Sequence, residues 1–399
     1  MRAHRVLATA LLALLVPASL RAEEETPPRK PTFEVYGFAM VDYIQDFKRM
    51  PSNWDATLRP TQIPTTEGAA GGDGQAILSA RQSRLGVKGS VPAGDSDVFG
   101  RVEFDFFGRG TDRPDAAGQS TIRLRHAYGS WGPVLGGLTA SLFMDDDFWP
   151  NIVDYWGPAG IAFYRNVQVR YTIFTGTHTL AVAIERPGAD LQAYPQIPDL
   201  AADNKIPDFT AQYRLSQKWG YVQVSGILRR LGYDATVAGT PIQGSRLGWG
   251  LNGSTTLKVI PDRLKLLVQV VGGEGIANYM NDATPDLAAD GTITAPTAAA
   301  VPLLGLTGYA DIAWSKMFST SIGYSTVFMF NTSLQPSSAF KRGQYASVNL
   351  LVAPFRNFLA GPEFLWGRRN DLSGAHGDDL RLQISIKYSF SSLDFWKPS

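Results

Sequence analysis

Basic residues alternate with other side chains in several short segments of the sequence. In TIRLRHAYGSW, residues 121–131, a single leucine separates Arg123 from Arg125. An arginine presents a planar fork of donors that binds carboxylate or phosphate through two hydrogen bonds. The basic residues at such alternating positions are Arg84, Lys88, Arg101, Arg123, Arg125, Arg170, Arg214, Arg229, Arg246, Arg381 and Lys387. Their types and spacing predict a common surface that attracts small anions.

Fewer acidic residues occupy the matching positions. They are Glu103, Asp105, Glu185, Asp208, Asp311 and Glu363. One interpretation is that the arginines are paired internally with these acids, as Arg101 could be with Glu103. The other is that the excess of basic residues leaves positive charge available to a solute. The arginines favoured for anion binding are those whose strands carry no nearby acid, namely Arg84, Arg123, Arg125 and Arg170.

The segment MDDDFWPNIVDYWGPAG, residues 144–160, concentrates acidic and aromatic side chains. Carboxylates here could pair with the arginines, and the rings could narrow the space between them. An ordinary exposed loop or a divalent-cation site are the alternatives, but three consecutive aspartates lack the spacing of an EF-hand loop. We predict a constriction loop and no metal site. Its candidate residues are Asp145, Asp146, Asp147, Phe148, Trp149, Asp154, Tyr155 and Trp156.

The sequence contains no recognisable catalytic motif. It lacks GxSxG, HExxH, the Walker loop and the dinucleotide fingerprint. His126, His178 and His376 are too scattered to suggest a triad or a metal site. The absence of cysteine excludes disulfides and thiolate ligands. We therefore expect neither enzymatic activity nor a cofactor.

Strict alternation of apolar and polar residues identifies the elements that carry these side chains. In LRLQISIKYSF, residues 380–390, every even position is apolar or aromatic and every odd position is polar. This period of two is that of a strand with one apolar face. Sixteen strands of this kind are predicted, at 33–44, 79–91, 97–107, 121–131, 138–144, 160–174, 178–186, 208–215, 221–229, 245–257, 263–272, 304–314, 319–329, 344–353, 357–367 and 379–390.

The connections between the predicted strands alternate between short and long. Seven are turn-like, such as TGT at 175–177 and PFR at 354–356. Eight are longer, at 45–78, 108–120, 145–159, 187–207, 230–244, 273–303, 330–343 and 368–378. Outer-membrane barrels have this asymmetry, with short periplasmic turns and long extracellular loops. A soluble β-sandwich also alternates within its strands, but nothing requires its loops to alternate in length.

Lipid requires such a sheet to close, because hydrocarbon cannot satisfy an open strand edge. We therefore predict an all-β, transmembrane, 16-stranded antiparallel β-barrel with short periplasmic turns and long extracellular loops. A one-residue slip at TIRLRHAYGSW would place Arg123 and Arg125 in lipid, at about 2–4 kcal/mol each near the midplane. The arginines must face the interior, where rings of Arg and Lys favour anions. Five residues do not fit the alternation of apolar and polar positions in their strands, namely His126, Ile227, Leu267, Val271 and Leu365. The alternatives for these residues are an oligomer interface and the barrel rim.

The amino terminus predicts export. Arg2, His4 and Arg5 precede an apolar run from Val6 to Val16, followed by small residues up to Ala22, which is the layout of a signal peptide. We assign residues 1–22 to this signal, 23–32 to a short periplasmic segment, 33–390 to the barrel and 391–399 to a C-terminal extension. With 37 basic and 36 acidic residues in all, the chain lacks the basic field that nucleic acid attracts.

Four stretches resemble the DcaP-like outer-membrane porins of Gram-negative bacteria. They are ARQSRLGVKGSVP (80–92), GRVEFDFFGRG (100–110), IRLRHAYGSWG (122–132) and FWPNIVDYWGPAGIAFYRNVQVRY (148–171). The resemblance implies a trimeric porin of sixteen strands that passes small organic anions, including dicarboxylic and aromatic acids. It carries over basic positions at Arg81, Arg84, Lys88, Arg123, Arg125, Arg165 and Arg170, although parity places Arg81 and Arg165 nearer the outer rim. The coiled-coil extension of some family members has no counterpart in EEETPPRKPT.

These observations predict a passive porin of the bacterial outer membrane that prefers small organic anions. Its expected partners are outer-membrane lipid and lipopolysaccharide, small anionic solutes and two further copies in a homotrimer, with no nucleic acid. A phosphate-selective porin would use the same arginines. A non-conducting surface adhesin or a barrel enzyme is the alternative from a different class. An active transporter with a plug is not expected, because residues 23–32 leave no room for a plug domain.

Overall fold

The computed structural model describes residues 29–108, 121–193, 199–237 and 239–395. The predicted signal peptide, residues 1–22, and positions 23–28 lie outside the described residues. The chain divides after Lys30, and the unit Pro31–Ser399 contains every strand.

The unit is built from strands in chain order. They are β1 Thr32–Asp46, β2 Gln75–Ser79, β3 Arg84–Ala93, β4 Ser96–Asp105, β5 Arg123–Trp131, β6 Val134–Ala140, β7 Arg165–Phe174, β8 His178–Glu185, β9 Ala201–Asp203, β10 Asp208–Gln217, β11 Gly220–Val237, β12 Thr240–Ile260, β13 Leu264–Glu274, β14 Leu287–Thr292, β15 Ala295–Ala300, β16 Pro302–Ala313, β17 Phe318–Met329, β18 Phe340–Asn349, β19 Leu351–Val352, β20 Phe358–Asp371 and β21 His376–Ser391. Short helical turns occur at Pro60–Gln62, Ala277–Tyr279 and Ser392–Phe395.

All strands except the β14–β15 hairpin belong to one antiparallel sheet. Three barrel strands are each interrupted once, since β2 and β3 both pair with β1, β9 and β10 both pair with β11, and β18 and β19 both pair with β17. The first strand pairs with β21 on its other side, from Tyr36↔Ser391 to Asp46↔Arg381. The described sheet therefore has no free edge, and the predicted 16-stranded antiparallel β-barrel is confirmed.

Several predicted boundaries are wrong. The predicted strand 138–144 is Val134–Ala140, because the strand continues through Gly136 and Gly137 where a turn was expected. The expected loop 230–244 is mostly an extension of the β11–β12 hairpin, and 368–378 is mostly an extension of β20 and β21. The expected loop 273–303 contains the β14–β15 hairpin. In the β11–β12 and β20–β21 hairpins, backbone pairing continues beyond the residues that alternate between apolar and polar. The alternation therefore predicts strands that are shorter than the observed ones.

The two faces of the wall have the predicted parity. Ile384 and Ile386 are exposed on the outside, while Gln383 and Ser385 between them are buried inside the barrel. The exception at His126 has a local cause, because Glu103 pairs with His126 while Phe104 pairs with Leu124. Arg125 is the extra residue of this β-bulge, which reverses the parity of the rest of the strand.

The other parity exceptions lie inside the barrel, at neither the rim nor an outer interface. Ile227, Leu267, Val271 and Leu365 are 0–2% exposed. They pack against apolar residues of three segments that fold inward, at 47–74, 141–164 and 275–301. Members of this internal core from those segments include Met50, Leu58, Ile63, Phe143, Phe148, Ile161, Ile276 and Met280. The barrel is thus largely filled, and its hydrophobic core is in the lumen.

Candidate functional site

Residues 141–164 cross the interior of the barrel from wall to wall, and we call them the constriction loop. Its start is held by the carbonyl of Phe143, which accepts hydrogen bonds from Ser225 Oγ and Asn252 Nδ2, both at 2.8 Å. Its end is held by Gly160, whose amide donates to Ser325 Oγ at 2.8 Å. These anchors belong to β11, β12 and β17, so the loop spans the lumen.

The middle of the constriction loop is fixed by a buried carboxylate. Glu363 of β20 accepts the amides of Val153 and Asp154, both at 3.0 Å, and the Asn349 side chain at 2.8 Å. The carbonyl of Val153 accepts bonds from the side-chain amides of Gln82 and Gln383 at 2.8 and 2.9 Å. Gln82 lies between β2 and β3, which pair with one side of β1, and Gln383 lies in β21, which pairs with the other side. Wall residues on both sides of β1 therefore hold the backbone at 153–154.

Two of the predicted loop aspartates serve as anchors. Asp145 accepts hydrogen bonds from Tyr221 and Ser254 at 2.8 and 2.6 Å. Asp154 accepts bonds from Thr57 and Tyr345, both at 3.1 Å. Burial raises the pKa of both carboxyls from the ordinary value, and these hydrogen bonds oppose that rise.

The remaining loop residues are divided between the core and the cavity. Phe148 is buried in the core, and Asp147 pairs with Arg214 at 2.7 Å. Tyr155 stacks on Phe107 with ring centroids 3.7 Å apart. The residues of the loop that line the cavity include Asp146, Trp149, Asp154, Tyr155 and Trp156.

Two further segments join the constriction loop at the outer end of the cavity. The guanidinium of Arg59 lies between the rings of Trp54 and Trp156, at 4.2 and 4.1 Å from their centroids. It also forms an ion pair with Asp282 at 2.9 Å. This contact joins segments 47–74, 141–164 and 275–301 into one layer.

A cavity of about 1280 Å³ remains between the loop layer and the wall. It extends to the turn at 261–263 on the periplasmic side. Basic side chains on its lining outnumber acidic ones. The basic residues are Arg59, Arg84, Arg101, Arg123, Arg125, Arg165, Arg263, Lys265 and Lys387, and the acidic residues are Glu103, Asp146, Asp154, Asp262 and Asp311.

Four of these arginines share two carboxylates of β4. Glu103 lies 2.6 Å from Arg101, 2.9 Å from Arg125 and 3.5 Å from Arg84. Asp105 lies 2.9 Å from Arg123 and 2.8 Å from Arg125. Tyr155 of the constriction loop donates a 2.6 Å hydrogen bond to Asp105. Internal pairing therefore exists, but it leaves four cations against two anions.

Arg165 and Lys387 are among the cations of the lining that form no ion pair within the described parts of the chain. The guanidinium of Arg165 stacks on Phe163 at 4.7 Å, and its buried Nε lacks a hydrogen-bond acceptor. Lys387 lies 5.4 Å from the Phe38 ring and forms no ion pair. Parity placed Arg165 near the rim because it shares the alternation of the outward Val167 and Val169. The strand begins at Arg165 itself, which lies on the cavity.

The other predicted anion-binding residues lie away from the cavity. Lys88 pairs with Glu34 at 3.0 Å, and Arg170 donates to Gln168 and to the Ala140 carbonyl. Arg214 pairs with Asp147, and Arg246 donates to Thr297 Oγ1 at 2.6 Å. Arg381 is fully buried between Asp46 and Asp379, at 2.9 and 2.8 Å, and Arg229 is buried with Asp208 and Asp286. Residues of the inward-folded segments contact Arg214, Arg229, Arg246 and Arg381, which the alternation alone could not reveal.

Sequence analysis also missed lining residues. Arg59 lies outside the predicted strands, Arg263 is the first residue of the predicted strand 263–272, and Lys265 is paired in register with Asp311. Beside polar residues such as Asp146 and Asn151, the inward segments contribute an apolar part of the lining, which includes Trp149, Ile152, Phe163, Tyr164 and Met280. No local pattern marks these residues, because inward folding of a long loop brings them to the site.

The described residues contain no group of three or more His, Cys, Asp or Glu side chains that could hold a metal ion. The same residues contain no helix with the length and apolar character needed to cross a membrane.

Comparison with solved structures shows the same fold in other porins. The outer membrane channel DcaP of Acinetobacter baumannii aligns at a TM-score of 0.76 and 22% identity, over 90% of this chain and 98% of that one. An anion-selective porin from Comamonas acidovorans aligns at 0.57 and 11%, over 90% and 100%. The trimer form of OmpT from Vibrio cholerae aligns at 0.53 and 11%, over 91% and 100%.

A comparison with curated proteins gives no match. A family model for the DcaP outer membrane protein matches residues 29–390, which is most of the chain. The resemblance predicted from four sequence stretches is thereby confirmed, and it extends far beyond them. The chain belongs to the DcaP outer membrane protein family.

Proposed function

We propose that this porin passes small organic anions by passive diffusion and prefers them to cations. The observation that carries the proposal is the excess of cations on the cavity lining. Four arginines share Glu103 and Asp105, and Arg165 and Lys387 add charge without an acidic partner in the described residues. Basic side chains around a narrow aqueous path favour anions, since they lower the electrostatic cost of leaving bulk water.

The proposed solutes are carboxylates with an apolar body, such as aromatic acids and dicarboxylates. The cavity that these arginines line also has an apolar side, which includes Trp149, Phe163 and Met280. A carboxylate could bind the guanidinium groups while its carbon skeleton lies against the rings. Inorganic phosphate would bind the arginines but would gain nothing from the apolar side. This separates the proposal from a phosphate-selective porin.

A homotrimer in the outer membrane is part of the same proposal. The family is one of outer membrane proteins, and one structure of similar fold is of a trimer form. The adhesin and barrel-enzyme alternatives have less support, because the internal cavity bears the charged side chains and the sequence contains no catalytic motif.

Flux into proteoliposomes tests the solute class. Swelling is measured in isosmotic potassium succinate, benzoate or phosphate, with valinomycin present so that potassium can follow the anion. We expect faster swelling with both carboxylates than with phosphate. Equal rates for all three anions would contradict the role of the apolar side, and swelling no faster than that of protein-free liposomes would contradict a porin.

A further inference from the structure

The outer surface of the neighbouring strands β18 and β20 changes from apolar to polar at one height. On β18 the outward residues proceed from Val348 and Ala346 to Gln344 and Arg342. On β20 they proceed from Phe364 and Trp366 to Arg368 and Asn370. The register pairs Ala346 with Trp366 and Gln344 with Arg368, so the change occurs at the same level on both strands. That level lies towards the long loops and marks the outer boundary of the bilayer.

Above this boundary lies a group of outward side chains that we call the outer basic patch. It consists of Lys341, Arg342, Gln344, Arg368 and Asn370. Arg368 forms an ion pair with Asp378 at 3.0 Å. Lys341 is exposed at a bulge in β18 and has no ion pair, and Arg342 has none either, within the described residues. The patch therefore carries uncompensated positive charge.

The guanidinium of Arg342 is fixed against the outside of the barrel. Its Nε donates to Thr326 Oγ1 and its Nη2 donates to Tyr324 OH, both at 3.2 Å. Its Cζ lies 4.5 Å from the centre of the Phe328 ring. Among the residues that the structure describes, none accepts a hydrogen bond from its Nη1. Cations at the membrane surface attract anionic lipid headgroups, by about 1 kcal/mol for each Lys or Arg.

An apolar surface continues directly below the patch. Phe364 is 52% exposed, Leu380 is 45% exposed and Val348 is 39% exposed. Tyr324 and Trp366 lie at the junction, where aromatic residues are favoured at the membrane interface. An occupant that fits both surfaces has an anionic headgroup and several acyl chains.

We infer that the outer basic patch binds the phosphate groups of lipopolysaccharide in the outer leaflet. The phosphates would accept hydrogen bonds from Lys341, Arg342 and the amides of Gln344 and Asn370, and the acyl chains would lie along Phe364 and Leu380. The loops place this end of the barrel at the outer leaflet, whose anionic lipid is lipopolysaccharide. The inference depends on membership of an outer membrane family and not on the solute preference of the pore.

Lipid binding to the detergent-solubilised protein tests the inference by native mass spectrometry. The probes are bisphosphorylated lipid A, enzymatically dephosphorylated lipid A and phosphatidylglycerol. The test variant is Lys341→Gln with Arg342→Gln. The matched control is Lys218→Gln with Lys316→Gln, which removes two exposed lysines from the short turns at the opposite end.

We expect wild type and control to bind bisphosphorylated lipid A about 30-fold more tightly than the test variant does, from the loss of two cations near an anionic surface. The affinity of the wild type should fall by a similar factor when lipid A is dephosphorylated. This comparison needs no variant, so it tests the inference even if the test variant fails to fold. Three results would overturn the inference. The first is that the test variant and the wild type bind lipid A with equal affinity. The second is that the wild type binds phosphatidylglycerol as tightly as lipid A. The third is that the test variant changes its subunit number but not its lipid binding.

Discussion

At the scale of single residues, arginines that line the cavity differ from arginines that are buried in ion pairs and stabilise the fold. Arg165 and Arg381 belong to the same residue type, but Arg381 was expected to line the lumen and Arg165 to lie nearer the outer rim. Arg165 lines the cavity without an acidic partner in the described chain, whereas Arg381 is 0% exposed between two aspartates. Substitutions at these positions should therefore have different effects.

Replacing Arg165 with glutamine should lower the preference for anions. The substitution removes an uncompensated cation from the lining, which we expect to cost a permeating anion about 0.5–1 kcal/mol, or about two- to fivefold in permeability ratio. Reversal potentials in a salt gradient measure this ratio. Arg246→Gln is the control, because that side chain donates to Thr297 away from the cavity. Equal shifts in both variants would contradict the assignment of the lining.

Replacing Arg381 with methionine should affect stability more than selectivity. It would leave Asp46 and Asp379 buried without their partner, which typically costs about 3–5 kcal/mol. Urea unfolding in lipid vesicles should show the loss. Adding Asp46→Asn and Asp379→Asn should restore part of the stability. A stable Arg381→Met barrel with reduced anion preference would show instead that this arginine faces the pore.

At the scale of elements, the inward loops explain why apolar residues occur on the inner face of some wall strands. Ile227, Leu267 and Val271 violate the alternation of their strands because inward loops pack against them. The violations were visible in the sequence, but their partners lie far away along the chain and no periodicity links them. The strands were predictable from local alternation, whereas the packing of loops inside the barrel was not.

Removing the central anchor of the constriction loop should widen the pore. Glu363→Ala deletes the carboxyl group that accepts the amides of Val153 and Asp154, and a hydrogen bond of this kind contributes about 0.5–1.5 kcal/mol. We expect a larger single-channel conductance with more current noise. Glu274→Ala, which affects only a bond from the outward Trp249, is the control. Wild-type conductance in Glu363→Ala would mean that the loop does not set the width.

The strand Val134–Ala140 depends on one of its two adjacent glycines. Gly137 has φ +131°, and a Cβ there would meet the backbone of Ala127 and Tyr128. A Cβ on Gly136 would meet nothing within 4 Å. Gly137→Val should therefore reduce the yield of folded barrel, measured by heat-modifiable migration on gels, and Gly136→Val should not. The opposite order would contradict the pairing of this strand.

At the scale of the whole molecule, closure of the sheet follows from the sequence, and the contents of the lumen do not. Sixteen alternating segments and the lipid environment require a cylinder, because each unpaired edge would leave backbone groups unsatisfied in hydrocarbon. A cylinder of this kind could hold a wide aqueous channel. The inward segments at 47–74, 141–164 and 275–301 reduce it to a cavity of about 1280 Å³ with an excess of basic lining residues. Selectivity is thus a property of the filled barrel.

The excess of basic residues on the cavity lining should make the pore prefer anions. The most direct measurement is the zero-current potential of the wild-type protein in a planar bilayer with a tenfold gradient of potassium chloride. We expect a potential with the sign of chloride permeation, and we expect it to shrink as ionic strength rises and screens the arginines. A potential with the sign of potassium permeation would contradict it.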